Sequence, residues 1–180
     1  MWAKELTMSV QTVLSRREFA TLGAAVALGL TSTASAQSQA RAPLRSEFLM
    51  DLVFKTGGGG RIGPRIIAGI TNGTFEGPKL KGKVTTPAGE WGATRPDGAY
   101  VIDVRLELRT DDDALIFVSY RGIVYTPPKD QGGRYWVTAP VFETASTKYD
   151  WLNRIVCVGV AYTVPKEVGD VAYHIYQILM

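Results

Sequence analysis

The sequence predicts an all-β fold, a small antiparallel up-and-down β-barrel of about eight strands around a central lumen. Eight or nine short runs rich in Val, Ile, Phe, Tyr and Thr follow one another, turn signals separate them, and no amphipathic stretch of helical period exceeds about two turns. Connections of two to five residues make successive strands antiparallel neighbours, which favours a closed meander over a sandwich. Eight strands enclose just enough space for side chains or for one small ligand.

The elements follow in order. "SEFLMDLVFKT" alternates imperfectly and opens the barrel; "GGGGRIGP" reads as a loop; "RIIAGITNGTFEG" and "KLKGKVTT" are extended runs divided at Gly77-Pro78. Pro96-Asp97-Gly98 turns "EWGATR" into "AYVIDVRLELRT", and Asp111-Asp112-Asp113 turns that into "ALIFVSYRGIVY". After a longer loop from Pro127 to Gly133 come "RYWVTAPVFET", one helical turn in "ASTKYDWLN", then "RIVCVGVAYTV" and "VAYHIYQIL".

Ahead of the barrel stands an export signal. Arg16 and Arg17 precede an apolar stretch from Leu22 to Leu30, and Ala34-Ser35-Ala36 has the A-x-A form of a cleavage site. The pattern resembles twin-arginine signals and divides the chain into a signal peptide over 1–36, a flexible tether over 37–45 and one barrel domain over 46–180. Nine helical residues span about 14 Å against a hydrocarbon core of about 30 Å, so the segment is too short to anchor the protein. The expected product is periplasmic or secreted, with the twin-arginine translocase and signal peptidase as partners during export and no stable membrane association afterwards. Met8 makes a more usual leader start than Met1.

Net charge is +3, too small to imply nucleic acid as a partner. Cys157 is the only cysteine, which excludes an intramolecular disulfide, and its apolar setting reads as a small buried hydrophobe. His174 is the only histidine and has no Cys pair nearby, and "TDDDA" lacks the glycine and terminal Glu of a calcium loop. Neither a metal nor a cofactor is expected.

"GTFEGPKLKGKV", "EWGATRPDG", "RTDDDALIFVSYRG" and "VFETASTKYDWLNRIVCVGV" together resemble the bacterial and fungal family known as domain of unknown function 3237, over Ser46 to Leu179. The resemblance implies a small antiparallel β-barrel and no settled activity. The family's Gly-Gly-x-Asp-Trp falls on Ala88-Gly89-Glu90-Trp91, which keeps the acid and the indole, and its Thr-Asp-Asp-Gly falls on a segment where Asp113 replaces the glycine. Its Asp-x-Arg corresponds to Asp103 and Arg105, its Phe-Glu-Thr to Phe142, Glu143 and Thr144, and its Tyr-x-Trp-Leu-Asn to Tyr149, Trp151, Leu152 and Asn153.

One strand carries two faces: Ile102, Val104, Leu106 and Leu108 on one side, Asp103, Arg105, Glu107 and Arg109 on the other. In water the charged row is a ladder worth about 0 to 1 kcal/mol per pair. Facing the lumen, Asp103 would instead fix Arg105 as a donor fork for a carboxylate, enolate or phenolate. Because the family motif falls on the charged side, Asp103 and Arg105 are expected to point inward and Ile102, Val104 and Leu106 outward, beneath other segments or a partner subunit. Glu107 and Arg109 are expected in solvent.

Two function classes follow. The first is a binding barrel for a small aromatic or acidic metabolite, with Trp91, Arg95, Tyr120, Tyr149, Trp151 and Asn153 as ligand-binding candidates. The second is a cofactor-free isomerase, cyclase or lyase in which Asp103 or Glu143 moves a proton and Arg105 stabilises charge on an oxygen. A homo-oligomer is compatible with both. A purely structural module has no exposed repeat to argue for it.

Overall fold

The computed structural model describes residues 41–180. The signal peptide and both candidate start sites lie outside the described residues, as do residues 37–40 of the tether. The strands are β1 (Arg45–Ile62), β2 (Arg65–Glu76), β3 (Lys81–Glu90), β4 (Ala93–Thr94), β5 (Tyr100–Thr110), β6 (Leu115–Tyr125), β7 (Tyr135–Glu143), β8 (Cys157–Tyr162) and β9 (Val171–Leu179). Every pairing is antiparallel, and β1 pairs with both β2 and β9, so eight strands in chain order close into a ring. The two-residue β4 bridges β2 and β5 beside that ring. The architecture is the up-and-down barrel that the strand spacing predicts.

The interior belongs to the apolar faces. Ile102, Val104, Leu106 and Leu108 are each at most 2% exposed and pack with Leu52, Phe54, Ile116, Val118 and Ile175. This reverses the expected orientation of β5: Asp103 and Arg105 point outward, with side chains 21% and 50% exposed, and pair with each other at 2.9 Å. Arg121 on β6 lies 3.6 Å from the same Asp103 carboxylate. The reason is competition for a narrow interior. Eight strands leave room for one interdigitated layer of side chains, and burying four aliphatic side chains is favourable where burying an ion pair carries a desolvation cost.

A second departure concerns the glycine run. Instead of looping, Gly57 to Gly60 continues β1 as one arm of a hairpin, pairing with Ile67, Ala68 and Gly69 across two register shifts. Gly59 has φ +111°, and a Cβ there would sit 2.0 Å from the Ile67 carbonyl oxygen, so only glycine lets the arms meet at this bulge.

Alternating strand direction gives the barrel two unlike ends. At one gather the β2–β3 and β5–β6 turns and the β7–β8 connection, whose 3-10 helix, Asp150–Arg154, contributes the fully buried Leu152. The helical turn expected in "ASTKYDWLN" is this segment. In the acidic turn Asp113 takes φ +68°, the left-handed conformation its glycine counterpart would adopt freely, and its carboxylate pairs with Arg109. At the other end lie the β1–β2 hairpin and the β3–β5, β6–β7 and β8–β9 connections.

Candidate functional site

At this second end, inward-facing positions change from aliphatic to polar-tipped. Cross-strand register decides which residues they are, because directly opposed residues share a face. Glu90 lies opposite Val104, Tyr120 opposite Val104 on the other side, Tyr100 and Trp136 opposite Val124, and Tyr173 opposite Leu52. All therefore point inward, and they line a cavity of about 160 Å³ together with Phe54, Ile102 and Arg134.

Each polar tip has a distinct environment. Trp136 Nε1 donates a 2.8 Å hydrogen bond to the Tyr173 hydroxyl oxygen, and the two rings meet edge to face at 5.9 Å. This bond uses Tyr173 as an acceptor and leaves its proton free to be donated. Tyr120 stands edge-on to Tyr173 at 5.7 Å; its hydroxyl is fully buried and, among the described residues, has no partner at hydrogen-bond distance and angle, with the Tyr173 hydroxyl close enough only to act on its acidity. Burial, then the nearby Tyr173 phenol and Glu90 carboxylate, push its pKa well above the ordinary phenol value, so it remains a proton donor.

Glu90 is the carboxyl group of the cavity. Burial raises its pKa above the usual glutamate range, and the neighbouring Tyr100 hydroxyl, which favours the carboxylate, only partly offsets this. Tyr100 is itself shifted upward, by burial first and then by Glu90. Its hydroxyl is accommodated by Gly92: a Cβ there would lie 1.9 Å from the phenolic oxygen. At the mouth the Arg134 guanidinium lies over the Trp136 ring, 4.3 Å from its centroid, and has no carboxylate partner among the described residues. The cavity thus combines three inward phenols, Tyr100, Tyr120 and Tyr173, with a desolvated carboxyl, a cation that has no carboxylate partner among the described residues, and aromatic walls.

The candidates read from the sequence fall in four places. Tyr120 lines the cavity. Trp91, Asp103 and Arg105 form an outer-wall cluster in which the guanidinium sits 5.6 Å from the indole centroid. Arg95 pairs with Asp97 at 2.8 Å within its own turn. Tyr149, Trp151, Asn153 and Glu143 belong to the opposite end. There the buried Tyr149 donates to Asp112 at 2.9 Å and Lys79 lies over Trp151. Asn153 bonds both the N–H and the carbonyl of Thr144, which latches the 3-10 segment to the end of β7.

Glu143 lines a larger outer depression of about 690 Å³ with Glu107, Asp112, Leu115 and Phe117. Its walls mix carboxylates with apolar side chains such as Leu115 and Phe117 and are open to solvent, where electrostatic and hydrogen-bonding contacts to a ligand are weak. Among the described residues no group of three or more His, Cys, Asp or Glu side chains is arranged to hold a metal. Cys157 is buried in an apolar setting that pushes its thiol up to about 12. The cavity residues that sequence reasoning missed are Glu90, Tyr100, Arg134, Trp136 and Tyr173; the acid kept at Glu90 beside Trp91 in the family tract was the available signal.

Residues 42–178 match the family model described as "Protein of unknown function (DUF3237)". A UPF0311 protein of Clostridium acetobutylicum is 30% identical over 118 residues, which cover 59% of this chain and 75% of that protein. Among solved structures, a beta-barrel like protein from Acinetobacter baumannii superposes with TM-score 0.69 at 30% identity, across 78% of this chain and 99% of its own. A conserved protein of unknown function from Rhodopseudomonas palustris gives TM-score 0.69 at 24% identity, over 78% of this chain and 100% of its own. A protein described as an enzyme from Penicillium herquei shares the fold at TM-score 0.61 and 23% identity, over 78% and 98% of the two chains.

Proposed function

We propose that this chain, which belongs to the DUF3237 family of proteins of unknown function, is an exported binding barrel that holds a small aromatic or acidic ligand in the cavity at its open end. The observation that carries this reading is the buried, unpartnered Tyr120 hydroxyl facing that cavity. An orphaned hydroxyl costs about 1 to 3 kcal/mol, and an oxygen on a ligand would satisfy it. Arg134 at the mouth favours an anionic substituent, and the Trp136, Tyr120 and Tyr173 rings favour a planar body. The paired arginines and A-x-A site of the leader support action in the periplasm.

Native mass spectrometry of protein recovered from the periplasm tests both parts. The expected result is a leaderless chain carrying a small molecule, with the adduct weakened in Tyr120→Phe. A retained leader would overturn export, and an adduct indifferent to Tyr120→Phe would move the ligand elsewhere.

A second reading, a cofactor-free isomerase, cyclase or lyase, is favoured by one observation: a carboxyl group, Glu90, lines the same cavity as the Tyr120 and Tyr173 phenols. Asp103, Arg105 and Glu143 lie outside that cavity, so in this reading the proton-moving role passes to Glu90.

A further inference from the structure

Resting on the ligand-binding reading above, we propose that the substrate class is a single-ring enolisable ketone, bound with its carbonyl oxygen between the Tyr120 and Tyr173 hydroxyls and its α-carbon against Glu90, which carries the proton. Three features of the cavity lead there. Its volume, about 160 Å³, is close to that of an engineered apolar cavity of about 150 Å³ known to take one benzene ring, so one ring fits inside and any extension must leave through the mouth. Beyond the Arg134 cation at the mouth, its inward hydroxyls are phenols: Tyr120 has no partner at hydrogen-bond distance, Tyr173 accepts from Trp136 and so keeps its own proton to give, and Tyr100 lies beside Glu90. Two fixed O–H groups at one apolar-walled site suit an oxygen that gains negative charge during reaction better than one already charged in water.

Glu90 supplies the complementary group. Its carboxylate removes a proton from the α-carbon; the C–H electron pair becomes the new C=C bond, and the carbonyl π pair moves onto the oxygen held by the phenols. Return of the proton from Glu90 to the same carbon gives exchange, and its return to the far end of a conjugated system gives double-bond migration. Either restores the carboxylate, so no oxidant or cofactor enters the balance. Burial raises Glu90 above the usual glutamate range, which makes its carboxylate a stronger base than an exposed one, and the raised Tyr120 phenol stays a donor throughout.

The test pairs phenol, a planar mimic of the enolate, with cyclohexanone in deuterium oxide. Calorimetry with the intact mature protein reads phenol binding, and proton NMR reads α-deuteration. Wild type is expected to bind phenol and to accelerate exchange, with phenol inhibiting competitively. Glu90→Gln should lose exchange by about 100-fold or more, whereas Tyr120→Phe should weaken phenol about 10-fold. Phenol binding without exchange above buffer, or exchange undiminished in Glu90→Gln, overturns the enolisation proposal and leaves the binding reading standing. No phenol binding at all, with the open-end residues intact, overturns both. Should Glu90→Gln not fold, wild-type exchange that phenol fails to inhibit overturns the proposal on its own.

Discussion

The two ends of this barrel are built from the same strands and reach opposite outcomes. At the closed end polar atoms are paired: Tyr149 with Asp112, Asn153 twice with Thr144, and the Thr144 hydroxyl with the Leu115 carbonyl at 2.6 Å, all around a fully buried Leu152. At the open end, among the described residues, Tyr120 has no partner at hydrogen-bond distance, Arg134 has no carboxylate and Glu90 is held in an environment that disfavours its charge. Saturated bonding serves stability, and unsatisfied bonding serves a ligand.

The sharpest way to break that contrast is to cut the closed end. Leu152→Ala is expected to lose about 2 to 5 kcal/mol in urea unfolding, the usual range for a fully buried leucine, while phenol affinity of the folded protein stays the same. A loss of binding alongside stability would show that the ends are coupled. The opposite sign is expected at the open end: Tyr120→Phe removes an orphaned hydroxyl and should gain about 1 to 3 kcal/mol in the ligand-free protein. If it is destabilising instead, the hydroxyl has a structural partner and the open end is not unsatisfied.

A smaller effect sharpens the comparison through pH. Because the folded pKa of Glu90 is raised, its protonated form is the one the fold prefers, and wild-type stability falls as pH climbs from the unfolded value, near 4.5, to the raised native value. Glu90→Gln removes that titration. Its unfolding midpoint should match wild type below about pH 4.5, exceed it progressively above, and level off beyond the native pKa. A constant offset at all pH values would argue against a desolvated Glu90. The smallest effects belong to the exposed ion pairs of the outer surface: Arg105→Ala and Arg109→Ala should each cost about 1 kcal/mol or less, as exposed pairs do. A loss of several kcal/mol confined to Arg105→Ala would return it to a buried network.

Much of the fold was legible, because turns such as Pro96-Asp97-Gly98 and Asp111 to Asp113 punctuate runs whose β-branched and aromatic content excludes helix. The glycine run was not. Four consecutive glycines look like a loop until a partner strand is present, and only β2 supplies the carbonyl that makes Gly59 obligatory. The site was legible in fragments. Tyr120 was named, yet Tyr149, Trp151 and Asn153 drew attention through a motif that secures the closed end, and Glu90 was noted as a retained acid without a role.

By itself the sequence determined the period of its strands, the positions of its turns, the absence of a disulfide and the antiparallel meander, since each depends on residues close together in the chain. The four aliphatic residues of β5 already favoured the interior, and the motif on the charged row drew the opposite expectation; closure of eight strands around a narrow interior, which buries the apolar row and leaves the ion pair outside, decided between them. Closure also brought together Glu90, Tyr100, Tyr120, Arg134, Trp136 and Tyr173, residues spread over five strands and the end of the β6–β7 loop, because register across the ring, and not spacing along the chain, decides which side chains share an end.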